Sequence, residues 1–172
     1  HLLGILIIIG LSSCFATKSL LSSVKEISDL IEKEFIYKGN KKLIIKKVQR
    51  IVSRDVSKLS FDKLIRATTE SLTENSVDGI FAPIFWIFIG LISIQYSSYL
   101  PGPLSLGFAY KAISTLDSMI GYKHGNLKHL GYFSAKSEDL ATFIPSRLVA
   151  LTLPLVTSKF IQYLSFLNKV FD

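Results

Sequence analysis

The chain has 172 residues, a length that suits one domain, and 49% of it is apolar. Its mean hydropathy of +0.41 is high for a soluble protein, and the absence of a Gly-rich phosphate loop, a dinucleotide fingerprint, zinc-finger spacing or a nucleophile elbow excludes the enzyme classes built on them. The net charge of +7 is unevenly spread: Lys38, Lys41, Lys42, Lys46, Lys47, Arg50 and Arg54 form one run with no acid among them. The single Cys14 excludes an internal disulfide and, set in an apolar run, reads as a buried inert thiol.

His1 leads straight into LLGILIIIGL. Residues 1–16 read as the tail of a hydrophobic span whose start lies upstream, since about 20 residues are needed to cross a bilayer. A signal peptide would need a basic leader and a small-residue cleavage site, and neither is visible. Residues 17–78 read as a polar, mostly helical region. Leu20, Val24, Ile27, Leu30 and Ile31 follow a helical period, with Lys25, Glu26, Asp29 and Glu32 between them. Gly39-Asn40 breaks the pattern. Lys41 to Arg54 resumes as a basic amphipathic helix with Leu43, Ile44, Val48, Ile51 and Val52 on its apolar side, a type that can lie on an anionic membrane surface. Three readings of the basic run compete: a solvated positive-inside loop, contact with lipid head groups or an anionic substrate, and nucleic-acid binding. No aromatic residues interleave and no nucleic-acid module is visible, so no nucleic acid is expected.

Ser60 is the expected N-cap of the next helix. Phe61, Leu64, Ile65, Thr68 and Leu72 fall on one side of it, and Arg66, Glu70 and Glu74 on the other. The plain reading is a solvated face with an Arg66–Glu70 pair worth about 0.3 kcal/mol. The residues just beyond it point further. Asn75, Asp78 and Gly79 stand where the polar helix runs into an apolar segment, and carboxylates at the mouth of a span mark sites for ions or phosphates.

Gly79 to Tyr110 holds no charged residue. Residues 79–100 as a helix would span on the order of 30 Å, the thickness of the hydrocarbon core. Trp86 and Tyr96 to Tyr99 offer interfacial rings, and Pro101-Gly102-Pro103 stops the helix. Residues 103–119, apolar apart from Lys111 and Asp117, read as a return crossing, with a re-entrant segment as the alternative. The Gly and Asn content of 117–147 suggests loops. His124 and His129, five apart, are poorly spaced for one metal and read as ordinary loop histidines. Residues 148–167 are apolar again, with Pro154 as a kink or break. The expected fold is all-α: a polytopic helical integral membrane domain with spans near 1–16, 79–100, 103–119 and 148–167. The polar regions 17–78 and 120–147 share one face, placed in the cytoplasm by the lysine excess.

Four blocks carry a family resemblance: SRDVSKL at 53–59, RATTESLTENSVDGIFAPIFW at 66–86, YKAISTLDSMIGYK at 110–123 and AKSEDLATFIPSRLVAL at 135–151. In order and spacing, from about residue 48 to 156, they resemble the CbiB/CobD family of cobalamin biosynthesis, the adenosylcobinamide-phosphate synthases. Members are longer at both ends, which reads this chain as an internal fragment. Ser53 stands where the family commonly has Gly, and Ser114 and Thr142 where it has Asn. These swaps keep hydrogen-bonding side chains but shorten their reach.

The resemblance implies a multi-pass protein of the cell (plasma or inner) membrane with a cytoplasmic active face. It implies an ATP-dependent ligase that joins adenosylcobyric acid to (R)-1-amino-2-propanol or its O-phosphate as an amide. Its cofactors would be ATP and Mg²⁺. Its partners would be the corrinoid, the aminopropanol or its phosphate, membrane lipids and other corrin-assembly membrane enzymes. Under that reading Asp55, Glu70, Glu74 and Asp117 are the catalytic acids, and Glu70, Glu74, Asp78 and Asp117 hold Mg²⁺–ATP. Arg54, Arg66, Asn75, Lys123 and Arg147 face phosphates and substrate, with Asp55 either orienting Arg54 or acting as the base. For Asp117 an interfacial helix cap, and for Arg147 a snorkelling anchor, are the structural alternatives. At the level of the whole protein, the alternatives are a catalytically silent scaffold or corrinoid carrier of the same fold, and an ion or solute transporter.

Overall fold

The computed structural model describes residues 2–37, 41–52, 55–121 and 128–156. All regular structure among them is helical: α1 (Leu2–Ser13), α2 (Thr17–Tyr37), α3 (Lys41–Val48), α4 (Phe61–Ser76), a π-helical turn (Val77–Phe81), α5 (Ala82–Tyr96), α6 (Pro103–Ile120) and α7 (Lys128–Val156). The chain divides into two compact units, His1–Ile80 and Phe81–Asp172, each with its own core.

In the first unit α2, α3 and α4 pack on one another. Ile44, Val48, Val52, Val56, Leu64 and Ala67 form the core, edged by Ile45, Leu59 and Phe61. The helix expected over 41–54 stops at Val48. Gln49 is the cause. Its Nε2 donates to the Val52 carbonyl at 3.4 Å and its Oε1 accepts from the Val56 N–H at 3.1 Å. One amide side chain thus serves backbone groups that a continuing helix would have paired, and the chain turns while Val52 and Val56 stay in the core. Lys47 makes an ion pair with Glu26, tying α3 to α2 beside the buried Ile27. Ser60 stands at the N-cap of α4, but its hydroxyl makes no capping bond. The two sides of α4 are as the spacing demands: Leu64, Ala67 and Thr68 are buried, and Arg66, Glu70 and Glu74 exposed. Cys14 is buried.

The π-helical turn after α4 follows from Pro83. In an α-helix the Gly79 carbonyl would accept from the N–H four residues on, and that residue is a proline with no N–H and a ring that crowds the same carbonyl. Here the helix widens. The Gly79 carbonyl accepts instead from the Ala16 N–H at 3.0 Å, at the start of α2. The same device recurs in the second unit. Pro145, buried inside α7, cannot pair with the Ala141 carbonyl, and the Trp86 Nε1–H of α5 donates to that oxygen at 3.0 Å. Trp86 is therefore part of the α5–α7 contact rather than an interfacial ring. Tyr96 and Tyr99 are exposed.

The second unit is built by α5, α6 and α7. Ala82, Tyr110 and Ala141 are its buried centre, with Trp86 and Ile113 against them. At Gly90 the backbone of the next helix comes so close that an added Cβ would lie 2.5 Å from Pro103 Cα. The turn is held further by the Ser93 hydroxyl, which donates to the Pro101 carbonyl at 2.8 Å. The loops expected over 117–147 give way to helix from Lys128 onward, and α7 runs through both Pro145 and Pro154 to Val156. Its inward face explains the difference. Gly131, Ser134, Ala141, Thr142, Pro145 and Val149 are buried at helical spacing, so the residues that pack are small ones that resemble loop composition.

The units bury opposite kinds of side chain. The core of α2–α4 is aliphatic with charges outside, the arrangement water imposes. In α5–α7 small residues face inward and Phe88, Met119, Leu140, Phe143, Ile144 and Leu151 face out, each more than half exposed, the arrangement of helices packed in lipid. Leu2, Leu3, Ile5, Leu6, Ile8 and Ile9 of α1 are also more than half exposed. Among the described residues two helical runs, Leu2–Asp29 and Phe61–Tyr96, are long and apolar enough to cross a membrane. The expected span at 103–119 is α6, which is not one of the two, and the one at 148–167 reaches beyond the described residues.

Two outcomes test this packing. Gly90→Leu should lower the unfolding temperature in mild detergent, with a loss of at least about 1–3 kcal/mol from overpacking, whereas Gly4→Ala, with nothing within 4 Å of the added Cβ, should leave it unchanged. Trp86→Phe should cost about 1 kcal/mol in the native chain and markedly less in a Pro145→Ala background, where the backbone N–H restored at that position can serve the Ala141 carbonyl. A double-mutant cycle of unfolding free energies measures the difference, and additivity would contradict the assignment.

Candidate functional site

In the first unit the candidate acids lie on the exposed side of α4 and in the segments flanking it. Arg66 Nε donates to Glu70 Oε1 at 3.0 Å; both side chains are exposed, at 83% and 51%, so the pair aligns the guanidinium more than it stabilises the fold. Glu74 and Asn75 come next on the exposed surface, Glu74 one helical turn beyond Glu70. Asp78 is half-buried in the π-helical turn. Helical periodicity reveals the row Arg66, Glu70, Glu74 but not that turn, and turns of this kind are frequent at functional sites. The signal available in the sequence is Pro83, four residues after Gly79.

Asp55 lies exposed in the segment between α3 and α4, where its Oδ1 accepts from the Ser57 backbone N–H at 2.9 Å. That backbone bond, joined by one from the Ser57 hydroxyl, holds the carboxyl below its ordinary value. Arg54 and Lys123 lie outside the described residues.

In the second unit Asp117 is half-buried on the last turn of α6, where its carbonyl accepts from the Gly121 N–H at 2.7 Å. A Cβ at Gly121 would collide with the Asp117 carboxylate, its Cγ only 2.9 Å away, so a glycine is required for the carboxylate to fold over the helix end. Arg147 is exposed on α7. Its Nη1 donates to the Phe143 carbonyl at 2.8 Å and its guanidinium carbon lies 3.4 Å from the centroid of the Phe143 ring, a cation–π contact that holds the charge one turn back along the helix.

No group of three or more His, Cys, Asp or Glu side chains among the described residues is gathered to hold a metal ion. A magnesium ion carried by a nucleotide keeps most of its shell as water and phosphate oxygen and takes one or two carboxylates from the protein. Glu70 and Glu74, one turn apart on an exposed helix face, fit that smaller demand.

The family model described as CobD/Cbib protein matches residues 1–169. The chain belongs to the CobD/CbiB family. It is 38% identical over 152 residues to the cobalamin biosynthesis protein CobD of Synechocystis, covering 88% of this chain and 42% of that one. It is 38% identical over 145 residues to the CobD protein of Pelobacter propionicus, covering 84% of this chain and 40% of the relative. The CobD protein of Listeria monocytogenes is 45% identical over 101 residues, 59% of this chain and 28% of the relative. The chain thus spans about two fifths of the length of the first two relatives. No solved structure matches. Of the departures from the CobD/CbiB pattern, Thr142 donates its hydroxyl to the Glu138 carbonyl of its own helix at 2.9 Å and Ser114 is half-buried on α6, while Ser53 lies outside the described residues.

The Asp55 assignment has a titration test. Its carboxyl should titrate below 3.8, the ordinary aspartate value, when followed by carboxyl NMR shifts. Ser57→Ala should move the midpoint up only part of the way, because the backbone donor remains. Since the folded value is depressed, the turn's contribution is present above 3.8 and lost as pH falls through the folded midpoint. An unshifted midpoint would contradict it.

Proposed function

We propose that this protein takes part in cobalamin biosynthesis as a polytopic membrane ligase. In this reading ATP is consumed to join the free propionate of adenosylcobyric acid to aminopropanol or its phosphate. The observation that carries it is membership of the CobD/CbiB family over residues 1–169, whose relatives are named cobalamin biosynthesis proteins. The acids and guanidinium groups of the two units agree with that chemistry.

A carboxylate is a poor acylating agent at neutral pH. Transfer of a phosphoryl group from ATP to the propionate oxygen releases ADP and leaves an acyl phosphate. The amine then attacks the acyl carbon, the C–N bond forms, and inorganic phosphate leaves with the electrons of the broken C–O bond. In this reading Glu70 and Glu74, with Asp78 and Asp117, hold the metal–nucleotide; bound Mg²⁺ would neutralise charge on the phosphates. Arg66, Arg54, Asn75, Lys123 and Arg147 position phosphate oxygens and substrate. The Glu70 contact supports this role for Arg66, because a guanidinium already aligned loses less freedom when it meets a phosphate. The depressed titration of Asp55 makes it a weak base. That favours its role as a fixed anion that orients a neighbouring cation over that of proton acceptor from the ammonium nucleophile.

The test uses the protein at its full natural length in detergent, with cobyric acid, aminopropanol phosphate and Mg²⁺–ATP. Amide product with stoichiometric ADP is expected. Glu74→Ala and Asp117→Ala should each lower turnover on the order of a hundredfold or more with the protein still inserted and folded. No product from well-folded protein in several detergents would overturn the ligase reading. Corrinoid binding that ignores ATP and tolerates changes at Glu70 and Glu74 would instead establish a silent carrier.

A further inference from the structure

We propose that the groove beside α3 and the turn after it binds the phosphate of an anionic phospholipid head group. The groove has a volume of about 640 Å³ and is lined by Ile45, Lys46, Gln49, Arg50 and Ser57. Its lining is largely aliphatic, with Lys46 and Arg50 as its cationic side chains, while the Gln49 amide and the Ser57 hydroxyl are engaged in holding the turn. Lys46, on α3, and Arg50, in the turn that follows it, both line the groove. The turn that carries Arg50 is fixed by the two hydrogen bonds of Gln49, and the Ser57 wall by its own N–H bond to Asp55. The two cations are therefore presented by backbone that is held, rather than by a loose loop.

Three further observations favour lipid over a soluble anion. The sequence from Lys38 to Arg54 contains seven cations and no acid, and Asp55, the first acid beyond it, is engaged by Ser57. Such density is matched to a charged surface more than to a single small ion. Leu43 stands three residues before Lys46 on the same side of α3 and is 46% exposed. An aliphatic side chain among cations suits a face where head groups border acyl chains. Finally, α3 packs on α2, and α2 comes directly after α1, whose aliphatic side chains are uncovered on nearly every side. Lys47 points to a different use, since it is engaged by Glu26.

The inference is independent of the ligase reading and is tested without turnover. The unfolding temperature of the protein in a neutral detergent is monitored as dioleoylphosphatidylglycerol or dioleoylphosphatidylcholine is added. Phosphatidylglycerol should raise it and phosphatidylcholine should not. The double variant Lys46→Gln, Arg50→Gln should need on the order of tenfold more phosphatidylglycerol for the same shift. The charge-conserving variant Lys46→Arg, Arg50→Lys and the charge control Lys63→Gln on α4 should respond like the native protein, which separates loss of the site from loss of the fold. Equal responses to the two lipids, or an undiminished response in the Gln variant, would overturn the proposal. An equal shift with soluble pyrophosphate would overturn it too, by showing that the groove takes a free phosphate.

Discussion

A backbone carbonyl deprived of its helical partner is stabilised by another donor, and among the described residues Gly79 and Ala141 each gain one by the same means. Proline at 83 and at 145 removes the N–H that would serve Gly79 and Ala141. Ala16 and Trp86 supply the missing donors from other helices. Where water is scarce an unsatisfied carbonyl costs several kcal/mol, on the order of what a whole buried side chain contributes. The prolines therefore act as fasteners. Each breaks a local bond and makes a tertiary bond necessary, which fixes which element must lie beside which within its unit.

The consequence for shape is a division of labour along the chain. Around α3 and α4 aliphatic side chains are gathered inside and charge is turned outward. In α5–α7 the inside is mostly Ala, Gly, Ser, Thr and Pro around Tyr110, with Val149 beside them, and most of the large aliphatics are left outside. Small residues allow the backbones to approach until, at Gly90, no side chain at all can be accommodated. Close approach brings carbonyls within reach of donors such as the Trp86 indole and the Ser93 hydroxyl. The proline demand and the small-residue core are thus one design: the first requires an interhelical bond, the second makes it short enough to form.

The polar residues that the chemistry would use are held rather than free-swinging. Arg66 is aligned by Glu70, Arg147 lies on the ring of Phe143, Asp55 is fixed by the Ser57 N–H, and Asp117 folds over a glycine that leaves it room. Each of these restraints is local to one helix or turn. Within each unit, restraints of this kind suit side chains that meet highly charged, hydrated phosphates, where prior alignment of cations lowers the entropic cost of binding. Family membership places the chain among the CobD/CbiB proteins, and these restraints suit the ligase reading proposed for it.

The helical class, the two-sided α4 with its row of Arg66, Glu70 and Glu74, the burial of Cys14 and the family were all legible in residue order. Period and composition are local properties, and the four motif blocks are contiguous. The early end of α3 was not legible, because it depends on where the Gln49 amide reaches. Nor was α7 before residue 148, because its inward face of small residues copies the composition of a loop. Sequence alone determined which stretches are apolar, which are charged and which lineage the chain belongs to. The tertiary structure decided the partners of the proline-orphaned carbonyls, the use of Trp86 as a donor and the groove beside Lys46 and Arg50, since each depends on atoms far apart in sequence being brought within a hydrogen bond's reach.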